Sequence, residues 1–270
     1  MNTHGPSCPH EVATPVMVHD WEHVTFLHWR FEPAAVQRLL PPWLEVQPLD
    51  GEAWVGLVPF FMRVALPGTP SAPWLSRFCE TNVRTYVTDP SGRSGIWFFS
   101  LDAARLAAVV TARATYRLPY FWSSMRLDQD GDVIRYHCAR RWPRACGTPR
   151  SRVEVRVGQP WAPAELTEFD HFLTARWVLF SDGRRPRLAR AWHQPWPLQR
   201  AEVLAADDLL LRAAGLPPAQ GSPVAHFSPG VRVRIGAPEP AAGGRLSPPR
   251  RAAWPGGPGP PRGRRRPARS

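Results

Sequence analysis

Glu80-Thr-Asn-Val-Arg-Thr-Tyr-Val-Thr88, Asp89-Pro-Ser-Gly-Arg-Ser-Gly95 and Ile96-Trp-Phe-Phe99 follow one another without interruption and read as strand, turn and strand. The middle run is rich in Pro, Gly, Ser and Asp, which punctuate turns. Ile96 to Phe99 is apolar at every position, the pattern of a strand covered on both faces. On a regular strand, Glu80, Asn82, Arg84 and Tyr86 share one face, and Thr81, Val83, Thr85 and Val87 share the other. Two readings of that polar row stand side by side. It is the wet face of an edge strand, with a Glu/Arg pair worth about 0 to 1 kcal/mol; or it lines a cavity, where unmatched charges cost several kcal/mol and need each other or a ligand.

Outward from this hairpin the strand pattern continues. Val153, Val155 and Val157 alternate with Glu154 and Arg156, and Val231, Val233 and Ile235 alternate with Arg232 and Arg234, the period of a half-buried strand. Asp128 to Gly131 predicts a hairpin between Trp122–Leu127 and Val133–Ala139, and Asp182-Gly183 one between Ala175–Phe180 and Arg187–Trp192. Helices are expected at Pro33–Leu40, Ala103–Thr115 with Asp102 as cap, Leu198–Ala214 ended by Gly215, and a shorter one at Ala164–Phe172. Strands outnumber helices without regular strand-helix alternation, which predicts an α+β domain, mainly β, with antiparallel pairing.

The chain has 270 residues and a formal net charge of +12, and all 34 of its basic residues are arginine. The absence of lysine excludes Schiff-base catalysis and phosphate-loop lysine chemistry, because arginine is never a neutral amine at working pH. From Ala237 to Ser270 there are eight arginines, nine prolines, six glycines and one acid. Such a stretch has too little apolar surface to offset its ordering entropy. The expected division is a flexible N-terminus over 1–15, one domain over 16–236 and a disordered Pro/Gly/Arg-rich tail over 237–270. Nucleic acid is not expected as a partner except through that tail, whose composition is also what a GC-rich coding sequence yields.

Cys8, Cys79, Cys138 and Cys146 have no C-x-x-C spacing, so no disulfide framework or zinc ribbon is expected, and a reducing cytoplasm is the default location. Met1 to Pro15 lacks a signal-peptide pattern. The longest apolar run, Ala53 to Met62, falls short of the ~20 residues of a membrane span. His19, His23 and His28 lie close together, but no further ligand stands at a recognised spacing, so no metal is expected. Neither G-x-S-x-G nor a strand-linked G-x-G-x-x-G occurs, and no cofactor is expected.

Asp50-Gly-Glu-Ala-Trp-Val-Gly-Leu-Val-Pro-Phe60, Glu80 to Val87, Gly95-Ile-Trp-Phe-Phe-Ser-Leu-Asp-Ala103, Leu118-Pro-Tyr120, Leu173-Thr-Ala-Arg-Trp177, His193-Gln-Pro-Trp-Pro-Leu198 and His226-Phe-Ser-Pro-Gly230 together resemble the bacterial YqjF-like family of unknown function, over about Asp20 to Gly236. The resemblance implies a fold similar to acetoacetate decarboxylase: a closed or nearly closed antiparallel barrel with flanking helices around a small-molecule cavity. In that superfamily a lysine forms an imine with a β-keto acid and a barrel glutamate tunes the site. Glu80 falls where that glutamate would, Arg113 resembles the arginine at the helix end, and Tyr120-Phe121-Trp122 occupies the lysine's neighbourhood with no amine.

Two functions follow as expectations. In the first, the chain binds a small carbonyl or carboxylate compound through Asn82, Arg84, Tyr86, Arg113 and Tyr120, arginine's fork suiting a carboxylate. In the second, Glu80 is the catalytic acid or base of an enzyme on a small keto or carboxylic acid. Apolar burial raises its pKa and Arg84 lowers it, which leaves its poise open at this stage.

Overall fold

The β4–β5 hairpin, Arg77–Thr88 and Ser94–Ala103, sits at the centre of one sheet because both of its faces are covered. A computed structural model describes residues 5–69, 76–142, 148–182 and 185–241 of the chain. The remaining strands are β1 Met17–Phe31, β2 Glu45–Val46, β3 Ala53–Ala65, β6 Tyr120–Asp130, β7 Val133–Trp142 and β8 Arg150–Pro160. They continue with β9 Val178–Ser181, β10 Arg187–Trp192, β11 Gln199–Asp208, β12 Val224–Ile235 and β13 Glu239–Pro240. Four short helices intervene, α1 Pro33–Gln37, α2 Leu106–Thr115, α3 Glu168–Thr174 and α4 Leu210–Ala213.

All thirteen strands belong to one sheet. Followed through hydrogen-bonded neighbours, it runs from β5 by way of β6, β7, β8, β11, β12, β1, β3 and β4 back to β5. A shorter path leaves β5 through β9 and β10 and rejoins at β12. Strands β1, β3 and β4 are common to both paths and carry a core on each face. On one side Leu27, Val55, Leu57 and Val83 pack with Ile134, Tyr136, Val153 and Val155. On the other, Phe26, Val58, Phe60 and Met62 face Ile96, Phe98, Ala189 and Ala191.

Three expectations need correction. The pairing is mixed, because β5 runs parallel to both β6 and β9. α2 connects β5 to β6, whose first residues, Tyr120 to Trp122, lie beside Leu101 to Ala103 at the far end of β5, whereas β9 joins β5 only after β6, β7, β8 and α3 have intervened. Connections that cross over in this way allow a parallel neighbour. The helix expected over Leu198–Ala214 is mostly strand. Its Ala, Leu and Glu favour helix locally, but Ala201 and Val203 pair with Val157 and Val155 of β8, and that ladder overrides propensity. Only Leu210–Ala213 is helical, with Gly215 at φ +91° just beyond it. Finally, α2 begins three residues later than expected, and Asp102 does not cap it.

Asp102 instead forms a buried ion pair. Arg140 donates from Nε to Oδ1 (2.9 Å) and from Nη2 to Oδ2 (2.7 Å), and Ser123 Oγ donates to Oδ1 (2.7 Å). The guanidinium lies 3.6 Å from the centre of the Phe121 ring. The cluster ties β5, β6 and β7 together where the parallel and antiparallel ladders meet. Beyond the body, Glu239 and Pro240 pair with Leu188 and Arg187, inside the stretch that composition assigns to the tail. The rest of that stretch, 242–270, lies outside the described residues. Among the described residues no helix is long and apolar enough to cross a membrane.

Arg140→Met leaves the Asp102 carboxylate buried and unmatched. The expected outcome is a loss of about 3 to 5 kcal/mol of unfolding free energy, read from urea titration. A large part returns in the double variant Asp102→Asn/Arg140→Met.

Candidate functional site

Between the shared strands and the β9–β10 side lies a cavity of about 540 Å³. Its walls follow from strand periodicity. Ser76, Phe78, Glu80, Asn82 and Arg84, every second residue along β4 and just before it, line one wall, and Val58, Phe60, Met62 and Val64 of β3 continue it. Two irregularities keep neighbouring strands in phase. In β1, His23 has φ 51° and the register with β3 shifts between Glu22 and Leu27. Met17, His19 and Trp21 therefore face the cavity before the bulge, and Val24 and Phe26 after it. In β5 the register shifts opposite Val83 and Arg84, so Ile96, Phe98 and Leu101 all face inward. Gly230 lies opposite the β1 bulge at φ +144°, where a Cβ would stand 2.2 Å from the Trp21 carbonyl oxygen. One side is covered by the small side chains of α2, including Ala108, Thr111 and Ala112.

Glu80 is buried on this wall, and the Tyr120 hydroxyl donates to its Oε2 at 2.9 Å. The contact spans from β4 across β5 to β6, and the parallel pairing Leu101↔Tyr120 sets it. Burial pushes the Glu80 carboxyl up to about 8; the Tyr120 hydrogen bond opposes this and the nearby Asp102 charge adds to it. Glu80 is thus chiefly a neutral acid at pH 7, suited to donate a proton or a hydrogen bond. Arg84, which could have held it ionised, is not among the groups that set its pKa.

Farther inside, Arg84 Nη2 donates to the Leu173 carbonyl (3.2 Å), and its guanidinium sits 5.4 Å from the Phe26 ring centre. Its Nε has no hydrogen-bond partner among the described residues. Arg176, which follows α3, also lines the cavity. It donates from Nε to the Phe172 carbonyl (2.9 Å) and lies over the rings of Tyr86 (4.6 Å) and Phe172 (4.2 Å). Burial lowers the Arg176 guanidinium to about 9, Tyr86 opposing and Arg84 reinforcing the shift. Behind the two arginines the Tyr86 hydroxyl meets His28 Nε2 at 2.6 Å and donates to the Leu173 carbonyl. Burial, followed by the charges of Arg84, His226 and Arg176, drives His28 well below its usual value. Gly56 makes this crowding possible, since a Cβ there would stand 2.8 Å from His28 Nε2.

The opposite wall is aromatic. Trp196 stacks on Trp21 and meets Phe26 edge-on, and the His193 ring lies 4.6 Å from those of Trp177 and Trp196. Burial lowers both His193 and His19 to about 4, so both imidazoles are neutral at pH 7. The His19, His23 and His28 side chains do not converge, and the described residues contain no group of three His, Cys, Asp or Glu that could hold a metal ion.

The structure thus brings Glu80, Asn82, Arg84 and Tyr120 to one cavity and leaves two of the sequence candidates outside it. Tyr86 is fully buried behind the wall, engaged by His28 and Leu173. Arg113, on α2, donates to the Tyr120 backbone carbonyl at 2.6 Å and lies near Trp142. Sequence reasoning missed Arg176, His193 and Trp196 as lining residues. The signal was present in Leu173-Thr-Ala-Arg-Trp177 and His193-Gln-Pro-Trp-Pro-Leu198, but both segments lie in connections whose side chains have no predictable facing.

Comparison with known proteins places this geometry. Residues 18–232 match the model of DUF2071, a family described as uncharacterized conserved proteins. The chain belongs to this family. Uncharacterized protein YqjF of Bacillus subtilis (strain 168) is 32% identical over 215 residues, covering 79% of this chain and 87% of that protein. Among solved structures, an acetoacetate decarboxylase-like enzyme from Sphingomonas wittichii RW1 superposes with a TM-score of 0.56 at 14% identity, covering 86% of this chain and 95% of that one. Acetoacetate decarboxylase from Legionella pneumophila gives 0.57 at 13% identity, covering 87% and 93%. The enduracididine biosynthesis enzyme MppR complexed with pyruvate gives 0.57 at 16%, covering 87% and 96%. This member of DUF2071 therefore shares the acetoacetate decarboxylase-like fold, and builds it without lysine.

The Glu80 shift fixes a pH dependence. Its carboxyl is at about 8 when folded against 4.5 as the ordinary value. The folded state thus holds a proton that the unfolded chain releases first, and stability falls as pH rises from about 4.5 through 8. Glu80→Gln, which keeps an acceptor for Tyr120, is expected to flatten this fall and to melt above wild type at pH 8. Paired melting curves at pH 5 and 8 check it.

Proposed function

We propose that the chain binds a small carbonyl or carboxylate compound in this cavity, without lysine imine chemistry. The observation that carries the reading is one wall in which an acid, an amide and a guanidinium are buried among apolar surfaces along a cavity of about 540 Å³. Polar groups so placed cost free energy unless something pairs with them, and few convergent polar groups in an apolar hollow are the usual composition of a small-molecule site. The Arg84 Nε–H, a donor without a partner among the described residues, is the group that an oxygen of such a compound would satisfy.

A second reading rests on the protonation of Glu80. A carboxyl near 8, held by Tyr120, is an acid at neutral pH, and it would serve an enzyme acting on a keto or carboxylic acid by protonating a developing carbanion or enolate. The fold neighbours include enzymes that do chemistry on such compounds, which supports the substrate class and leaves the route open, since this chain has no amine for an imine.

The test is a thermal-shift screen of ketones, keto acids and short carboxylates against wild type, Glu80→Gln and Arg84→Ala, with mass spectrometry of the mixtures. Stabilisation by several degrees that disappears in Arg84→Ala without new product is the expected outcome for binding. Turnover lost in Glu80→Gln assigns catalysis instead. No shift with any compound removes the cavity reading.

A further inference from the structure

The cavity is electrically lopsided along its length. Its inner end holds two guanidinium groups, Arg84 and Arg176, both about 6% exposed, and Arg84 forms no ion pair with any described residue. The two cations are close enough to disfavour each other, and the His28 and His193 imidazoles are neutral. From Arg84 the wall runs outward through Asn82, Glu80, Phe78 and Ser76. At about 3.3 Å per residue this is about 26 Å of strand, with Glu80 about 13 Å from Arg84. The outer end is marked by Leu66, which is 61% exposed and still lines the cavity. Between the ends, apart from the neutral Glu80 and Tyr120 pair, the lining is chiefly aliphatic and aromatic.

We propose that Arg84 and Arg176 form an anion seat at the blind end, which takes the carboxylate of an elongated, otherwise apolar monocarboxylic acid whose tail runs along β4 past Glu80 toward Leu66. The inference rests on the cavity-binding reading above and narrows it from small carbonyl or carboxylate compounds to acids with a chain. A carboxylate suits two guanidinium groups on one cavity wall: it accepts short, charge-assisted hydrogen bonds from Arg84 and relieves the mutual repulsion of the pair. Arg176, whose Nε and Nη1 donate to the Phe172 carbonyl and to Gln47, adds its charge. A two- or three-carbon acid would satisfy the seat and leave the tryptophan and methionine walls uncontacted. A neutral apolar compound would fill the walls and leave Arg84 buried with no counter-charge. Only a compound with both parts answers both.

The experiment is isothermal titration of the full chain, in a buffer free of carboxylates, with butanoate, hexanoate and octanoate and with methyl octanoate, octan-1-ol and octylamine. The expected result is an affinity that rises about fourfold per added methylene, the value of burying one CH₂. Octanoate is expected to bind at least tenfold more tightly than its ester or alcohol, and octylamine not at all. Arg84→Gln and Arg176→Gln should each remove the preference for the acid while retaining octan-1-ol. If either variant fails to fold by circular dichroism, the wild-type comparison of acid with ester decides alone. Ester or alcohol binding as tight as the acid overturns the anion seat and leaves the cavity reading standing. Affinity that does not grow with chain length overturns the elongated tail. Failure of every probe to bind overturns both this inference and the reading beneath it.

Discussion

Everything at this site follows from β4 being covered on both faces while one face carries ionisable groups. A strand with water on one side can place glutamate, asparagine and arginine there at almost no cost. Here the odd-numbered side, Thr81, Val83 and Thr85, packs into a filled core, and the even-numbered side, Glu80, Asn82 and Arg84, looks into a hollow. Removal from bulk water is what lifts the Glu80 carboxyl and leaves Arg84 without a counter-charge. The same removal makes the rest of the arrangement necessary: Tyr120 reaches across a strand to Glu80, main-chain carbonyls of Leu173 and Phe172 receive the guanidinium hydrogens, and aromatic rings flank the cations. Each is a partial substitute for the water that folding takes away.

The asymmetry between the two cores has a topological origin. The β1, β3 and β4 strands belong to two pairing circuits, one closed through β6, β7, β8 and β11 and the other through β9 and β10. The first is filled by Ile134, Tyr136, Val153, Val155 and Leu210. The second has short strands, and connections rather than long strands supply Arg176, His193 and Trp196 on its far side. A wall of loop-borne side chains does not interdigitate with a regular strand as a second strand does, and the space left over is the cavity. Site and fold are in this sense one feature.

What could be read from the sequence follows the same division. The alternation of β8 and β12, the β4–β5 hairpin with its turn at Asp89 to Gly95, and the polar row itself are period-two signals, and each appears at the expected residues. The β11 strand was not legible, because an Ala- and Leu-rich segment has helical propensity and nothing local announces its pairing with β8. Nor was the parallel attachment of β6 and β9 to β5. That depends on where α2 returns the chain to β6 and where α3 returns it to β9, both set by tertiary packing. Within the site, Glu80, Asn82 and Arg84 were legible because a strand fixes their facing. Tyr86, on the same face, passes behind the wall because the hollow ends at Arg84, where His28 and Leu173 take its hydroxyl. Arg176 and His193 stand in irregular segments, where facing has no period to read.

The bulge at His23 divides control over the wall of β1. Because the alternation of β1 restarts at one residue with a left-handed backbone, the outer half, Met17 to Trp21, and the inner half, Val24 onward, are set by independent phases. One residue gained or lost before position 23 would exchange the inward and outward sides of the outer half alone, leaving Phe26 and the arginines undisturbed. A small change in length there would thereby reshape the entrance while the lining of the deep end stays as it is.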